Sequence, residues 1–182
     1  MAHIEIILGP MFSGKSTELI RRCSNYEAID KNVLIINHSL DTRCDNNLVQ
    51  THNKTKKEAK KVDLLVDCIN CIDNYDVIAI DEAQFFSDLL NFIKCIEKMK
   101  IVIIIAGLDG DCLRQPFGQL LYCIPYANEV IKLHAMCMLK KDGTKASFTK
   151  RLKHIEPQKC QVDIGAKDKY MAVCRDIYLN NL

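Results

Sequence analysis

The sequence lacks long hydrophobic runs, internal repeats and low-complexity tracts. The apolar stretches at residues 4–8 and 101–108 have the length of strands and fall far short of a membrane span. No basic region precedes residues 4–8, so this stretch does not indicate a secretory signal peptide. We therefore expect a soluble, intracellular protein with no membrane partner.

A large net charge is also lacking, since the formal value is only +2. Proteins that bind nucleic acid usually carry a pronounced basic surface, and we expect no nucleic-acid partner here. The basic run at residues 54–61 is interpreted as the solvated face of a helix. A length of 182 residues predicts one domain with at most a small appendage.

Cysteine is abundant, but a regular disulfide framework is absent. The ten cysteines have irregular spacing, and without a secretory signal we expect reduced thiols that pack as small apolar groups. Cys68 and Cys71 form a Cys-x-x-Cys pair with no second pair nearby, which we interpret as two partly buried thiols.

Five short segments rich in β-branched residues are nearly continuously apolar, as is typical of a parallel sheet covered on both faces. They are residues 4–8, 33–37, 77–80, 101–106 and 130–133. Helical patterns lie between them at residues 16–29, at 87–99 with Ser87 as the N-cap, and at 116–122 with Pro116 in the first turn. This alternation predicts an α/β fold with a mostly parallel sheet and flanking helices.

The character of the sequence changes after residue 133. From about residue 135 the apolar segments are short and polar residues dominate, with residues 148–151 and 161–164 as candidate hairpin strands. We predict a nucleotide-binding α/β domain over residues 1–134 and a small C-terminal lobe over residues 135–182.

The first strand is followed by a motif for phosphate binding, G-x-x-x-x-G-K-[ST]. Its residues are Gly9, Pro10, Met11, Phe12, Ser13, Gly14, Lys15 and Ser16. Backbone amides and the N-terminus of the following helix can bind a β-phosphate. Lys15 can reach the β- and γ-phosphates, and the Ser16 hydroxyl can bind Mg²⁺. A glycine turn with a surface lysine is the alternative, but the strand before and the helix after favour a P-loop domain that binds ATP.

Two acidic residues end the third apolar segment. Asp81 stands where P-loop proteins hold Mg²⁺, and Glu82 is a candidate general base for an attacking hydroxyl. The alternative is an ordinary acidic residue at a helix N-terminus.

These and four further motifs together resemble the type II thymidine kinases, the cellular and poxviral family. They are GPMFSGKST, DTR, IDEAQFF, GLDG…PFG, SFTKR and DKY…VC, in family order from residue 4 to residue 178. The resemblance implies ATP-dependent phosphorylation of the 5′-hydroxyl of thymidine to thymidine monophosphate in DNA precursor salvage. It also implies a cytoplasmic location, in the host cell if the source is viral, and a P-loop fold with a small zinc-ribbon-like C-terminal lobe.

The resemblance also implies roles for individual residues. Glu82, Lys15 and Arg43 are the catalytic residues, with Glu82 as the proton acceptor and Ser16 and Asp81 as Mg²⁺ ligands. The resemblance assigns further contacts with the phosphates, outside the loop, to Asp41, Arg43, Asp81 and Gln84. The nucleoside pocket falls to Met11, Phe85, Leu108, Cys112, Phe117, Thr149, Gln161, Val162, Asp163, Ile164, Gly165 and Tyr170.

Several of these assignments carry an expectation about structure. Residues 161–165 are expected to bind the base through backbone groups, and residues 154–161 to form a lasso that orders over the nucleoside and excludes water. Cys112 stands where the family typically has phenylalanine. Homodimers or homotetramers and feedback by thymidine triphosphate are implied as well.

The chain departs from the family at its structural zinc site, which uses two Cys-x-x-Cys pairs. Each pair keeps its first cysteine, Cys137 and Cys174, and has lost its second. A structural zinc site needs four ligands, and His134, His154 and Cys160 are the candidate substitutes. We predict no structural zinc, with apolar packing that includes Ile177 in its place; a Cys137–Cys174 disulfide is the other alternative.

Two other functions compete with nucleoside phosphorylation. One is a P-loop ATPase or nucleotide-dependent switch, in which Glu82 positions water, and the other is a nucleotide-binding module without catalysis. The aromatic pair Phe85 and Phe86 beside the carboxylate favours a small organic acceptor, and the intact catalytic positions disfavour a module without catalysis.

Overall fold

The computed structural model describes residues 1–41, 48–50, 56–152, 161 and 168–180. Its strands are β1 His3–Leu8, β2 Val33–His38, β3 Leu48–Gln50, β4 Lys56–Glu58, β5 Lys60–Val62, β6 Val77–Ile80, β7 Val102–Gly107, β8 Glu129–Lys132, β9 Ala135–Met136, β10 Lys145–Ala146, β11 Phe148–Arg151 and β12 Tyr170–Val173. Its α-helices are α1 Lys15–Glu27, α2 Leu89–Ile96 and α3 Arg175–Leu179. Three 3-10 helices cover Leu65–Asn74, Ala83–Phe85 and Leu120–Tyr126.

A six-stranded sheet forms the centre of the protein, in the order β5-β2-β6-β7-β1-β8. All five pairings in it are parallel. The central strands β1, β2, β6 and β7 are largely apolar on both faces because helices cover both: one cluster packs even-numbered residues of β1 against α2 and all three 3-10 helices. The other packs Ile7 of β1 against Leu19, Ile20 and Cys23 of α1. The α/β fold with a mostly parallel sheet and flanking helices is therefore confirmed.

The five predicted sheet strands and the first helix are confirmed to within about two residues, which is the usual uncertainty of element ends. Helix α2 is shorter than expected, and Ser87 is not its N-cap. That position belongs to Asp88, whose carboxylate accepts the Val66 N–H at 3.0 Å instead of capping the helix. A backbone N–H at the start of the helix finds its acceptor outside the helix, since Gln119 Oε1 accepts the Leu90 N–H at 2.9 Å.

Two other predictions of local structure were wrong. Pro116 does not begin a helix but forms an isolated antiparallel bridge with Gly110, and the helical turns begin only at Leu120. The basic run is not a helix face, since Lys56–Glu58 and Lys60–Val62 are strands. The second of these strands pairs with the edge of the apolar sheet at β2, a long-range contact that overrides the local pattern.

The elements from β9 to α3, which we call the lobe, carry a small core of their own. Two antiparallel pairs, β9 with β10 and β11 with β12, pack with α3. Among the described residues, this core is formed by Ala135, Cys137, Ala146, Ala172, Val173, Cys174 and Ile177. Residues 148–151 form the predicted strand, but the partner that the structure gives is Tyr170–Val173. Residues 162–164 of the predicted partner lie outside the described residues.

None of the helices in the described part of the chain is long and apolar enough to cross a membrane.

Candidate active site

The candidate site lies at one edge of the six-stranded sheet. Because all of its strands are parallel, the carboxyl ends of β1, β2, β6 and β7 meet at the same edge. The polar residues that follow these strands are the ones that the sequence singled out. Ligands of open parallel sheets bind at this edge, so the topology gathers the predicted site from four distant parts of the chain.

The loop between β1 and α1 approaches its surroundings closely. A Cβ on Gly9 would lie 2.7 Å from the Leu133 carbonyl oxygen, so only glycine fits there. The N-cap of α1 is Gly14, and no side chain caps the helix. The first backbone N–H groups of α1 therefore keep their capacity to bind an anion, which the helix dipole also favours.

The Lys15 side chain folds back across the loop. Its Nζ donates a hydrogen bond to the Pro10 carbonyl at 2.9 Å, and Ser13 Oγ donates to the same oxygen at 2.8 Å. Lys15 is only 8% exposed, although lysine is among the residues least often buried. The loop thus holds an ammonium group inside the turn where phosphate oxygens are expected.

Two successive loop residues contact the lobe. The Met11 N–H donates to Thr149 Oγ1 at 3.0 Å. Phe12, with φ of 65°, packs against the apolar core of the lobe. A positive φ is a genuine outlier for a bulky residue. The contact with the lobe therefore helps to hold the phosphate loop in this conformation.

The two acidic residues after β6 differ in environment. Asp81 is 1% exposed, and its N–H donates to the Ile36 carbonyl at 2.9 Å. Glu82 is partly exposed and has φ of 51° and ψ of 40°, the left-handed conformation that non-glycine residues seldom adopt. Such backbone strain clusters at functional sites, where it aims a side chain. Glu82 is therefore the more accessible of the two carboxylates.

Gln84 is 3% exposed and bridges Glu82 to the next strand. Its Nε2 donates to Glu82 Oε2 at 2.6 Å, and its Oε1 accepts the Leu108 N–H at 2.9 Å. Sequence reasoning assigned Gln84 to the phosphates, and that assignment stays a prediction; the contacts of its amide are with the proposed base and the proposed pocket.

Asp41 is held at the end of β2 by a residue that the sequence analysis missed. Asn37 is fully buried, and its Nδ2 donates to Asp41 Oδ2 at 2.8 Å. Lys61 Nζ donates to the Asp41 carbonyl at 2.9 Å. The available signal was an amide side chain inside an otherwise apolar strand. Arg43, the other half of the predicted pair, lies outside the described residues.

Aromatic rings form a wall beside the acidic residues. The Phe85 and Phe117 rings meet edge to face with centroids 5.7 Å apart, and the His38 ring lies 5.8 Å from Phe85. Burial lowers the pKa of His38, and the charges of Asp63 and Asp88 oppose this only in part. His38 Nδ1 accepts the Leu40 N–H at 3.1 Å, so the imidazole packs here as a neutral ring.

The loop after β7 connects Leu108 and Cys112 to the lobe. The Tyr178 hydroxyl of α3 donates to the Cys112 carbonyl at 2.7 Å, and the Arg114 guanidinium lies 4.6 Å from the Tyr178 ring. Cys112 itself is buried. Sequence reasoning missed Tyr178 because no local pattern connects residue 178 with residue 112.

Asp111 organises the same loop. One oxygen, Oδ1, accepts the N–H groups of Leu113 and Gln115 at 2.8 and 2.9 Å. Gln161 Nε2 donates to the other, Oδ2, at 2.9 Å and to the Pro116 carbonyl at 3.0 Å. The structure thus places Gln161 at the predicted pocket, whereas Val162, Asp163, Ile164 and Gly165 lie outside the described residues, as does most of the predicted lasso.

Tyr170 lies within the lobe, opposite Arg151 in the β11–β12 pair. It is 6% exposed, and its hydroxyl accepts a hydrogen bond from Arg151 Nη1 at 3.2 Å. The lobe therefore carries both Thr149 and Tyr170 of the predicted pocket.

Cys137 and Cys174 lie together in the core of the lobe. The Cys174 N–H donates to Cys137 Sγ at 3.4 Å. Burial alone raises the pKa of Cys137, but the N–H groups of Lys140, Cys174 and Leu139 directed at the sulfur bring it below its ordinary value. Among the described residues no three His, Cys, Asp or Glu side chains cluster as a metal site would require.

Ser16 and Asp81 suit Mg²⁺ by their chemistry. A half-buried hydroxyl at the start of α1 and a buried carboxylate after β6 are hard oxygen ligands. Mg²⁺ is usually held by one or two protein ligands together with substrate phosphates, so two such groups beside a phosphate loop fit this ion.

Comparisons with known proteins identify the family. The family model described as thymidine kinase matches residues 2–178. The thymidine kinase of Yaba monkey tumor virus (strain VR587) is 46% identical over 182 residues, covering 98% of this chain and 97% of that protein. The thymidine kinases of vaccinia virus (strain Western Reserve) and monkeypox virus are each 41% identical over 180 residues, covering 98% of both chains.

Proposed function

The chain belongs to the thymidine kinase family, and on that premise we propose that it transfers the γ-phosphoryl group of ATP to the 5′-hydroxyl of thymidine. The products are ADP and thymidine monophosphate, a DNA precursor. The observation that carries this proposal is the shared sheet edge, which brings the Lys15 loop, the Glu82 carboxylate and the Phe85–Phe117 wall together.

The phosphate end of the site stabilises negative charge. The loop from Gly9 to Ser16 and the first turn of α1 supply backbone N–H groups, and Lys15 exchanges the Pro10 carbonyl for phosphate oxygens. Asp41, Arg43 and Gln84 complete the predicted phosphate surroundings. Ser16 and Asp81 would hold Mg²⁺, which neutralises charge on the phosphates when it is bound.

Glu82 is the proposed general base. It accepts the proton of the 5′-hydroxyl as that oxygen attacks phosphorus, a role that contributes about 10²–10⁴-fold in rate. Its strained backbone and its hydrogen bond from Gln84 support this role, because both restrict where the carboxylate points.

The nucleoside is proposed to lie between the sheet edge and the lobe. Phe85 and Phe117 offer apolar ring surface to the base, and the remaining pocket residues surround it. These are Met11, Leu108, Cys112, Thr149, Gln161, Val162, Asp163, Ile164, Gly165 and Tyr170. Contacts of Thr149 with Met11 and of Gln161 with Asp111 support a pocket that the lobe and the sheet share. The choice of thymine rests on the family.

Other features of the proposal go beyond the kinase reaction. We assign residues 1–134 to the nucleotide-binding domain and residues 135–182 to a lobe whose lasso closes over the nucleoside. Self-association as a dimer or tetramer, feedback by thymidine triphosphate, a cytoplasmic location and a lobe without structural zinc complete the assignment. The cysteine pair at 137 and 174 supports the last point, since two thiols fill half of a tetrahedral zinc site.

Product analysis tests the proposed function. Purified protein is incubated with ATP, Mg²⁺ and single nucleosides, and nucleoside monophosphate and ADP are both quantified. We expect ADP and thymidine monophosphate in equal amounts, with little ADP when no nucleoside is present. ADP formed at the same rate without nucleoside would instead indicate an ATPase or switch, and nucleotide binding without any product would indicate a binding module.

A further inference from the structure

We propose that Gln84 is a positioning residue that locks the general base Glu82 to the wall of the nucleoside pocket. The inference rests on the proposed function and adds to it a residue that aligns the general base with the acceptor hydroxyl. It moves the main role of Gln84 from the phosphates to the carboxylate that receives the proton.

The two hydrogen bonds of the Gln84 side chain fix its orientation. A backbone N–H donates at Leu108 and a carboxylate accepts at Glu82, so only one orientation of the amide satisfies both. Asparagine is too short to span the same gap, and a carboxylate would face another carboxylate. Glutamine is therefore the residue type that this bridge requires.

The bridge joins two neighbouring strands of the sheet. Glu82 and Gln84 follow β6, whereas Leu108 follows β7, and these strands pair along their length. Leu108 is one of the proposed pocket residues. A shift of the pocket wall at Leu108 is therefore transmitted to the Glu82 carboxylate through one buried side chain.

The surroundings are built to admit this side chain. A Cβ on Gly107 would lie 2.8 Å from Gln84 Oε1, and a Cβ on Gly118 would lie 2.1 Å from the Gln84 carbonyl oxygen. Both glycines thus leave room for Gln84 where any other residue would displace it. Gln84 is 3% exposed, so water does not replace its contacts easily.

Charge explains why the bridge matters for catalysis. A hydrogen bond to an ionised carboxylate is stronger and shorter than one between neutral groups, and it restricts rotation of the carboxylate. A general base whose carboxylate is fixed toward the acceptor deprotonates the bound 5′-hydroxyl in preference to a water molecule. Loss of Gln84 should therefore lower the rate of transfer to thymidine and raise the share of ATP lost to hydrolysis.

The test compares Gln84→Met, Gln84→Glu and the matched control Gln119→Met in the full chain. Gln119 also accepts a backbone N–H, that of Leu90 at the start of α2, and it is not part of the hydrogen-bonded bridge from Leu108 through Gln84 to Glu82. For Gln84→Met we expect kcat for thymidine to fall about 10–100-fold, with KM for ATP changed less than about threefold. The control should keep the kcat of the unmodified protein, and thermal unfolding of all three should report folded protein.

The pH dependence separates positioning from packing. The Gln84→Glu side chain has the same size and donates to Glu82 only while it is protonated, so its kcat relative to that of Gln84→Met should rise at least about threefold from about pH 8 to about pH 6. A flat ratio, or an equal loss of kcat in Gln119→Met, would overturn the positioning role. Unmodified protein that makes no thymidine monophosphate would overturn the proposed function, and this inference with it.

Discussion

The six-stranded sheet and the lobe bury side chains on very different scales. Isoleucine and leucine pack on both faces of the sheet and phenylalanine on one, with Phe86, Ile6, Leu19 and Ile93 fully enclosed. In the described part of the lobe, its core has seven buried residues, of which three are alanine and two are cysteine. A core of that size stabilises little by itself, so the lobe depends on its contacts with the sheet.

Those contacts are also contacts with the site. Thr149 accepts the Met11 N–H, Phe12 packs against the core of the lobe, and the Tyr178 hydroxyl donates to the Cys112 carbonyl. The difference between the two regions indicates that the sheet supplies most of the stability, whereas the lobe has a small core and contributes contacts to the candidate site. Changes at the sheet edge should reduce turnover and spare the fold, whereas changes in the core of the lobe should reduce stability first.

The largest effect on turnover is expected at the proposed base. Glu82→Gln should lower kcat by about 10²–10⁴-fold, because an amide does not accept the hydroxyl proton. The midpoint of thermal unfolding should stay close to that of the unmodified protein, as Glu82 is partly exposed. The measurement is steady-state kinetics with thymidine, with the exposed Glu58→Gln as control. A loss smaller than about threefold would remove Glu82 from the role of general base.

The phosphate loop should show the next largest effect. Lys15→Ala should lower kcat/KM by about 10²–10³-fold, since one cation that stabilises the transferred phosphoryl group is lost. The fold should survive, because Ser13 still donates to the Pro10 carbonyl. Kinetics and thermal unfolding are compared with Lys98→Ala on an exposed position. Unchanged turnover would refute the assigned role of Lys15.

A change in the core of the lobe should reverse the pattern. Ile177→Ala should lower the free energy of unfolding by about 2 kcal/mol, because Ile177 is 9% exposed and its truncation leaves a cavity. Leu179→Ala in the same helix is the control, since Leu179 is 56% exposed. Urea unfolding measures both variants, and KM for thymidine should rise in Ile177→Ala because Tyr178 is adjacent. Equal unfolding free energies for the two variants would contradict a core role for Ile177.

Metal removal should have the smallest effect. Purified protein is expected to hold substoichiometric zinc, and treatment with a chelator should leave its thermal unfolding unchanged, because two thiols do not complete a tetrahedral site. Elemental analysis and calorimetry before and after chelation make the measurement. Stoichiometric zinc, together with a loss of thermal stability on chelation, would show that residues besides Cys137 and Cys174 complete a metal site.

The parts of the site that are adjacent in sequence could be predicted, because their geometry is local. The phosphate loop is a continuous motif between a strand and a helix, and Asp81 and Glu82 end an apolar strand. The role of Gln84 was not predictable in this way, since it depends on a hydrogen bond to Leu108, 24 residues away. The left-handed backbone of Glu82 is likewise a property of the assembled turn.

The wrong predictions of local structure have the same origin, because they also depend on contacts that are distant in sequence. Proline at position 116 predicts the start of a helix because its fixed φ suits a first turn, but proline is also compatible with the isolated bridge that forms there. In the lysine-rich run, charge is the only visible pattern, and charge alone predicts the solvated face of a helix. Its pairing with β2 joins Lys60 to Ile36, a contact that no short window of sequence contains.

The strand that leads into the phosphate loop has one further consequence, for the order in which the chain folds on the ribosome. β1 pairs with β7 and β8, so its neighbours are residues 102–107 and 129–132. Parallel pairings over such separations form slowly, and chains emerge from the amino terminus at about 5–20 residues per second. Residues 3–8 therefore wait several seconds for both neighbouring strands, and nascent chains that lack residues 129–132 should expose one edge of this apolar strand to chaperones.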